Sequence, residues 1–115
     1  MPEECIFCSI AAGEIPSDVV YQDEDFIAFR DIMPQAPVHV IIIPKAHFTS
    51  LVEFSEEQRE LAGCLIILAK QLAEKEGISK SGYRLVINCG FDGGQELPHL
   101  HLHLIGGRKL SGQLG

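Results

Sequence analysis

Cations are scarce in this chain: nine Lys and Arg stand against sixteen Asp and Glu, a formal net charge of -7 over 115 residues. A surface of that sign has no general attraction for a nucleic-acid backbone or an anionic membrane, although a local cluster can still hold a small anion. Long apolar runs are missing too. No segment reaches about 18 uninterrupted apolar residues, the length a membrane helix needs. The acidic start MPEECIFCSI lacks the basic flank and apolar stretch of a signal peptide. A cytoplasmic location with no membrane or nucleic-acid partner is expected. Repeats, linkers and low-complexity tracts are also absent, and a chain of this length builds one core rather than two, so residues 1–115 are read as a single domain. Four cysteines, Cys5, Cys8, Cys64 and Cys89, are expected to be reduced rather than paired as disulfides.

What is present is an ordinary globular composition, 46% hydrophobic and 22% charged. CIFCSIAAGEIPS reads as a short helix or turn ended by Gly13 and Pro16. VVYQ and FIAFRD, separated by DED, read as a hairpin with roughly alternating polarity. The β-branched run from Val38 to Ile43, closed by Pro44, is a buried strand. Ser55 and Gln58 have capping-box spacing ahead of Leu61, Leu65, Leu68 and Leu72, which share one helical face, and Gly77 supplies the stop. Cys64, inside that pattern, is expected to be a small buried residue. YRLVIN is a fourth strand, CGFDGGQE a flexible glycine-rich turn and HLHLHLI a fifth strand. The order predicts an α+β domain: a largely antiparallel sheet of five strands with one long and one short helix.

On a strand His99, His101 and His103 share one face at intervals of about 6 to 7 Å, and Leu100, Leu102 and Leu104 share the other. The leucine face is core. The histidine face is expected to be open to solvent or a ligand, since three buried neutral imidazoles need six hydrogen-bond partners. Three readings compete: a solvated strand that happens to carry histidines, a metal cage, or a catalytic histidine with neighbours that orient it and bind the anion it attacks. The adjacent GFDGGQE favours an anionic substrate, because glycine-rich turns let backbone N–H groups approach a phosphate.

His99-Leu-His101-Leu-His103-Leu-Ile105 matches His-φ-His-φ-His-φ-φ, with φ apolar, and so resembles the histidine triad (HIT) family signature. The segments IPSDVVYQDEDFIAFRDIMPQAPVHVIIIPKAH and GYRLVINCGFDGGQE extend the likeness to its Hint branch, the nucleotide-binding phosphoramidases, over nearly the whole chain. The resemblance implies a homodimer whose sheets join into one, and hydrolysis of purine nucleoside phosphoramidates and adenylates to the nucleoside monophosphate. It implies that His101 attacks the α-phosphorus and carries the nucleotidyl group, that His103 contacts the phosphate, and that His39 is a further active-site histidine. Asp31 and Ile32 match positions that hold ribose and base. Asn88, Gly94, Gln95 and Glu96 match phosphate-side positions, with glutamate at 96 as in bacterial relatives where the eukaryotic branch has serine. No organic cofactor is implied.

Cys5 and Cys8 form a Cys-x-x-Cys pair with no preceding strand, which disfavours a thioredoxin-like redox role and suits half of a zinc site. His47 and His99 are the candidates for the other two ligands, and some bacterial histidine triad proteins resemble this arrangement. Four protein ligands leave no open position, so such a zinc is structural. Pro98 before the first triad histidine and the absence of tryptophan depart from some relatives, which leaves the leaving group unspecified. A dinucleoside polyphosphate hydrolase or nucleotidyltransferase of the same family, and a regulatory module that binds nucleotide without catalysis, are the alternative functions.

Overall fold

The computed structural model describes residues 5–115. The elements are helix α1 (Ile6–Ala11), strands β1 (Val19–Gln22), β2 (Phe26–Arg30) and β3 (Val38–Pro44), helix α2 (Arg59–Lys75), and strands β4 (Tyr83–Ile87) and β5 (Leu102–Gly106). The five strands make one sheet in the order β1-β2-β3-β5-β4, and every neighbouring pair is antiparallel. This is the α+β sheet with one long and one short helix that the sequence pattern predicts.

The two helices lie on opposite faces of the sheet. Leu65, Leu68, Ala69, Leu72 and Ala73 of α2 pack on Phe26, Ala28, Val40, Ile42, Leu102 and Leu104. On the other face Phe7, Cys8 and Ile10 of α1, with Cys5, pack on Ile27, Phe29, Ile41 and Ile43. Strands β2 and β3 are therefore buried on both faces, and the polar alternation expected of the hairpin is absent from β2.

Local signals explain how α2 starts and stops. The Ser55–Gln58 capping box is formed, and it initiates a 3-10 turn (Glu56–Gln58) that runs on into α2. At the other end Gly77 has φ +78°. Its N–H donates to the Glu74 carbonyl at 3.1 Å and that of Ile78 to the Ala73 carbonyl at 3.0 Å, a Schellman ending that needs the left-handed conformation glycine adopts freely. Arg30 then ties this end to β2 through two bonds to Glu76, 2.6 and 3.0 Å.

Two expectations are corrected. Cys64 is exposed, beside exposed Ile66 and Ile67; the leucines at 61, 65, 68 and 72 define the buried face, and position 64 falls outside it. Strand β5 begins at Leu102, not at His99. In the β3–β5 register Ile42 pairs with Leu102, so residue 100 would face Pro44, which has no N–H to give. Leu100 instead donates to the Phe48 carbonyl at 2.7 Å, and residues 99–101 run beside the sheet rather than in it.

Leu104 is fully buried between β3, β4 and α2. Leu104→Ala is expected to lower stability by about 3 kcal/mol, within the usual range for a buried leucine. Urea unfolding monitored by circular dichroism measures it, and a loss below about 1 kcal/mol would contradict this packing.

Candidate active site and metal centre

Cross-strand partners share a face of the sheet. His39 on β3 faces Ile105, and His103 on β5 faces Ile41, so both imidazoles stand on the face that α1 covers. Nε2 of His39 lies 2.9 Å from Nδ1 of His103. Nδ1 of His39 accepts the backbone N–H of Gln35 at 3.0 Å. A backbone amide only donates, so the neutral His39 ring carries its proton on Nε2 and donates it to His103. The neutral His103 ring then carries its own proton on Nε2.

Burial supports these neutral forms. It lowers the pKa of His39 against the pull of Asp31, whose Oδ2 is 3.5 Å from His39 Nε2. It pushes His103 down from 6.5 to about 4, with His101 and His39 adding to the effect.

His101 has a complementary arrangement. Its Nδ1 lies 2.7 Å from the His99 carbonyl, which only accepts, so Nδ1 is the protonated nitrogen and Nε2 of the neutral ring keeps a lone pair. Phe7 of α1 meets the ring edge-on at 5.1 Å, and the His103 ring lies 4.9 Å away. Contrary to the expected open face, His101 is only 6% exposed and His99 fully buried. The apparent shortage of hydrogen-bond partners is met by backbone carbonyls, by a second histidine and by cysteine sulfur.

His99 points away from this pair. Its Nε2 donates to the Pro44 carbonyl at 2.9 Å, which leaves the Nδ1 lone pair 3.3 Å from Cys5 Sγ and 3.6 Å from Cys8 Sγ. His47 Nδ1 is 3.2 Å from Cys8 Sγ, and the four donor atoms lie within 4.8 Å of one another. A tetrahedral zinc with sulfur and nitrogen ligands holds its donors about 3.3 to 3.8 Å apart. The set therefore fits such an ion with little rearrangement, and the Pro44 carbonyl supplies the outer contact that fixes a ligating imidazole. Without a cation, burial and the neighbouring Cys5 push the Cys8 thiol up to about 11.

Asp31, His39 and His103 also lie close enough to be a metal cluster by distance. The Gln35 amide argues against it: it occupies Nδ1 and forces a proton onto Nε2, the atom that would have to coordinate.

Beside the histidines, Asp31 accepts the Met33 N–H at 2.8 Å, and Ile32 projects into solvent, 94% exposed. The glycine-rich loop is tightly built. A side chain at Gly93 would strike the Cys89 carbonyl, and Gly94 has φ +76°. Asn88 donates to the Gly93 carbonyl at 2.6 Å. Gln95 accepts from the Gly90 amide and donates to the Thr49 and Leu97 carbonyls, joining the loop to the segment after β3. Glu96 is exposed. Sequence reasoning did not find the Gln35 amide, the Pro44 carbonyl or Phe7. The first two are backbone groups without a residue signature, and Phe7 in CIFC reads as an ordinary apolar residue.

A five-stranded sheet with a histidine row on one face and a cysteine–histidine cluster beside it defines a recognised class of small α+β domain. Residues 12–110 match the family model of the HIT domain, and the chain belongs to the HIT family. It is 49% identical over 114 residues to the purine nucleoside phosphoramidase of Escherichia coli K12, covering 99% of this chain and 96% of that protein. It is also 49% identical to a 14 kDa zinc-binding protein of Zea mays, over 92% of this chain and 84% of the relative. The crystal structure of a HIT family hydrolase from Legionella pneumophila superposes with a TM-score of 0.95 at 50% identity, covering 97% of this chain and all of that one.

A histidine held neutral binds fewer protons folded than unfolded between pH 6.5 and about 4. Its stabilising effect is complete above pH 6.5 and is lost as pH falls through that window. Urea unfolding at pH 7.5 and pH 5 is expected to show a smaller acid loss in His103→Gln than in the wild type. Equal losses would place the burden on other groups.

Proposed function

We propose that this chain is a nucleotide-binding hydrolase that cleaves purine nucleoside phosphoramidates and related adenylates to the nucleoside monophosphate through a nucleotidyl-His101 intermediate. The observation that carries the reading is the His101 Nδ1 contact with the His99 carbonyl at 2.7 Å, which puts the lone pair of the neutral ring on Nε2. The near full-length likeness to a purine nucleoside phosphoramidase supports the substrate class.

In this reading His101 Nε2 attacks the α-phosphorus, and the P–N bond breaks as the departing nitrogen takes a proton from solvent and leaves as the amine. Water then displaces the imidazole to release the monophosphate, so one difficult substitution becomes two easier ones. His103, with its proton on Nε2, donates to a phosphoryl oxygen as charge develops there. His39 holds His103 in that tautomer. Asp31 binds the ribose, Ile32 lies against the base, and Asn88, Gly94, Gln95 and Glu96 line the phosphate side.

Cys5, Cys8, His47 and His99 hold a structural zinc, a role supported by the donor geometry and by the zinc-binding relative. It fastens the N-terminal segment to the chain just before His101. The chain acts as a single domain in a homodimer whose sheets join across the interface, and cysteines outside disulfides throughout the described residues suit a cytoplasmic location.

Release of AMP from an adenosine 5′-phosphoramidate and from a diadenosine polyphosphate tests the activity. The wild type is expected to favour the phosphoramidate. His101→Ala is expected to lose roughly 10³-fold or more in kcat while binding AMP within a few-fold of wild type. Near-normal turnover by the variant removes the nucleophile assignment, and preference for the polyphosphate removes the substrate class. Metal analysis of protein purified without chelator is expected to find one zinc per chain, lost in Cys8→Ser together with thermal stability. A metal-free wild type, or unchanged zinc in the variant, sinks the metal assignment.

A further inference from the structure

The turn after β5, Gly107-Arg108, makes contacts that neither the catalytic row nor the metal cluster accounts for. Gly107 has φ +95°, and a side chain there would meet Pro37 Cβ at 2.9 Å. Arg108 Nη2 donates to the Gln35 carbonyl at 2.8 Å, while Nη1 donates to the Lys109 carbonyl at 3.1 Å. The Pro37 approach and the Gln35 bond both fall on the loop between β2 and β3, the loop whose Gln35 N–H caps His39 Nδ1 at 3.0 Å. The glycine lets the turn lie against Pro37, and the guanidinium grips the carbonyl of the same residue whose amide caps His39.

We propose that Arg108 is a positioning residue that holds the Gln35 amide against His39 Nδ1 and thereby selects the tautomer of the His39–His103 pair. The consequence follows from counting protons. With Gln35 in place, His39 carries Nε2–H, His103 receives it on Nδ1, and His103 presents Nε2–H as a donor. If the loop withdraws, His39 is free to protonate Nδ1 instead. Its Nε2 then offers a lone pair to His103, whose proton moves to Nδ1, and His103 Nε2 becomes an acceptor that would repel a phosphoryl oxygen. The ring positions need not change for the donor to be lost.

The rest of the loop does not make this clamp redundant. Asp31 N–H donates to the His39 carbonyl at 3.0 Å and Asp31 Oδ1 accepts from Met33, which anchor the loop's first half. Gln35 is held on its C-terminal side by Arg108. The surroundings also spare Arg108 from ion pairing: no carboxylate among the described residues forms a salt bridge with it, so its charge stays directed at backbone carbonyls.

The catalytic consequence rests on the phosphoramidase reading, whereas the tautomer does not, and the experiment separates the two. Imidazole 15N spectra of wild type, Arg108→Ala and Arg108→Lys, assigned through His39→Gln, report which ring nitrogen of His39 is protonated. Wild type is expected in a single Nε2–H form, Arg108→Ala as a mixture, and Arg108→Lys between them, since the ammonium restores one donor. With the phosphoramidate substrate, Arg108→Ala is expected to lower kcat roughly 5- to 20-fold with KM within about twofold, and Arg108→Lys to recover part of it. An unchanged His39 spectrum in a folded Arg108→Ala overturns the proposal whatever the kinetics. A shifted spectrum in a protein that never cleaves the phosphoramidate keeps the clamp and overturns the functional reading instead.

Discussion

Everything at this site depends on the register between β3 and β5. Because Val40 faces Leu104 and Ile41 faces His103, one face of the central strand pair is wholly aliphatic and the other carries imidazole. A slip of one residue would turn the leucines outward and drive the histidines under α2. The aliphatic face is sealed by five buried residues of α2, which makes such a slip costly. The helix on the opposite face of the sheet is thus what holds the histidines on theirs.

Given that placement, chemistry is divided among similar side chains by backbone groups of fixed polarity. Carbonyls of Pro44 and His99 can only accept, and the amide of Gln35 can only donate. Each therefore dictates where a neutral imidazole keeps its proton: Nε2 on His99 and His39, Nδ1 on His101. His99 is left with a lone pair toward sulfur, and His101 with one directed elsewhere. Burial reinforces the assignment where it disfavours the charged ring, in which both nitrogens are donors and the distinction vanishes.

Much of this was legible in the sequence. Strong periodic patterns identified α2 and the β3 run, the capping box and Gly77 marked the helix limits, and the alternation after Pro98 separated leucines from histidines. What escaped depended on neighbours distant in the chain. β5 is shorter than its alternating pattern because its partner ends in Pro44, more than fifty residues earlier. β2 reads as half-polar by local expectation yet is buried on both faces, because α1 returns to cover it. Cys64 looks internal in a helix rich in leucine, and only the direction of the packed face excludes it. The four cysteine and histidine donors lie within reach of one another, but neither their tautomers nor the carbonyl behind His99 has a residue-level signal.

The short N-terminal helix connects the two centres. Phe7 stands edge-on to both His99 and His101, at 5.9 and 5.1 Å, between Cys5 and Cys8, whose sulfurs face His99. A six-residue helix has little stability of its own, because a single turn costs more order than its few hydrogen bonds return. Its position must come from side-chain contacts, and those are the apolar packing on Ile27, Phe29, Ile41 and Ile43 together with the sulfur–imidazole cluster. The aromatic ring packed on His101 is therefore held by the same residues that gather the cysteine–histidine cluster, so loosening the cluster would expose the neighbouring imidazole even though the two centres share no atom.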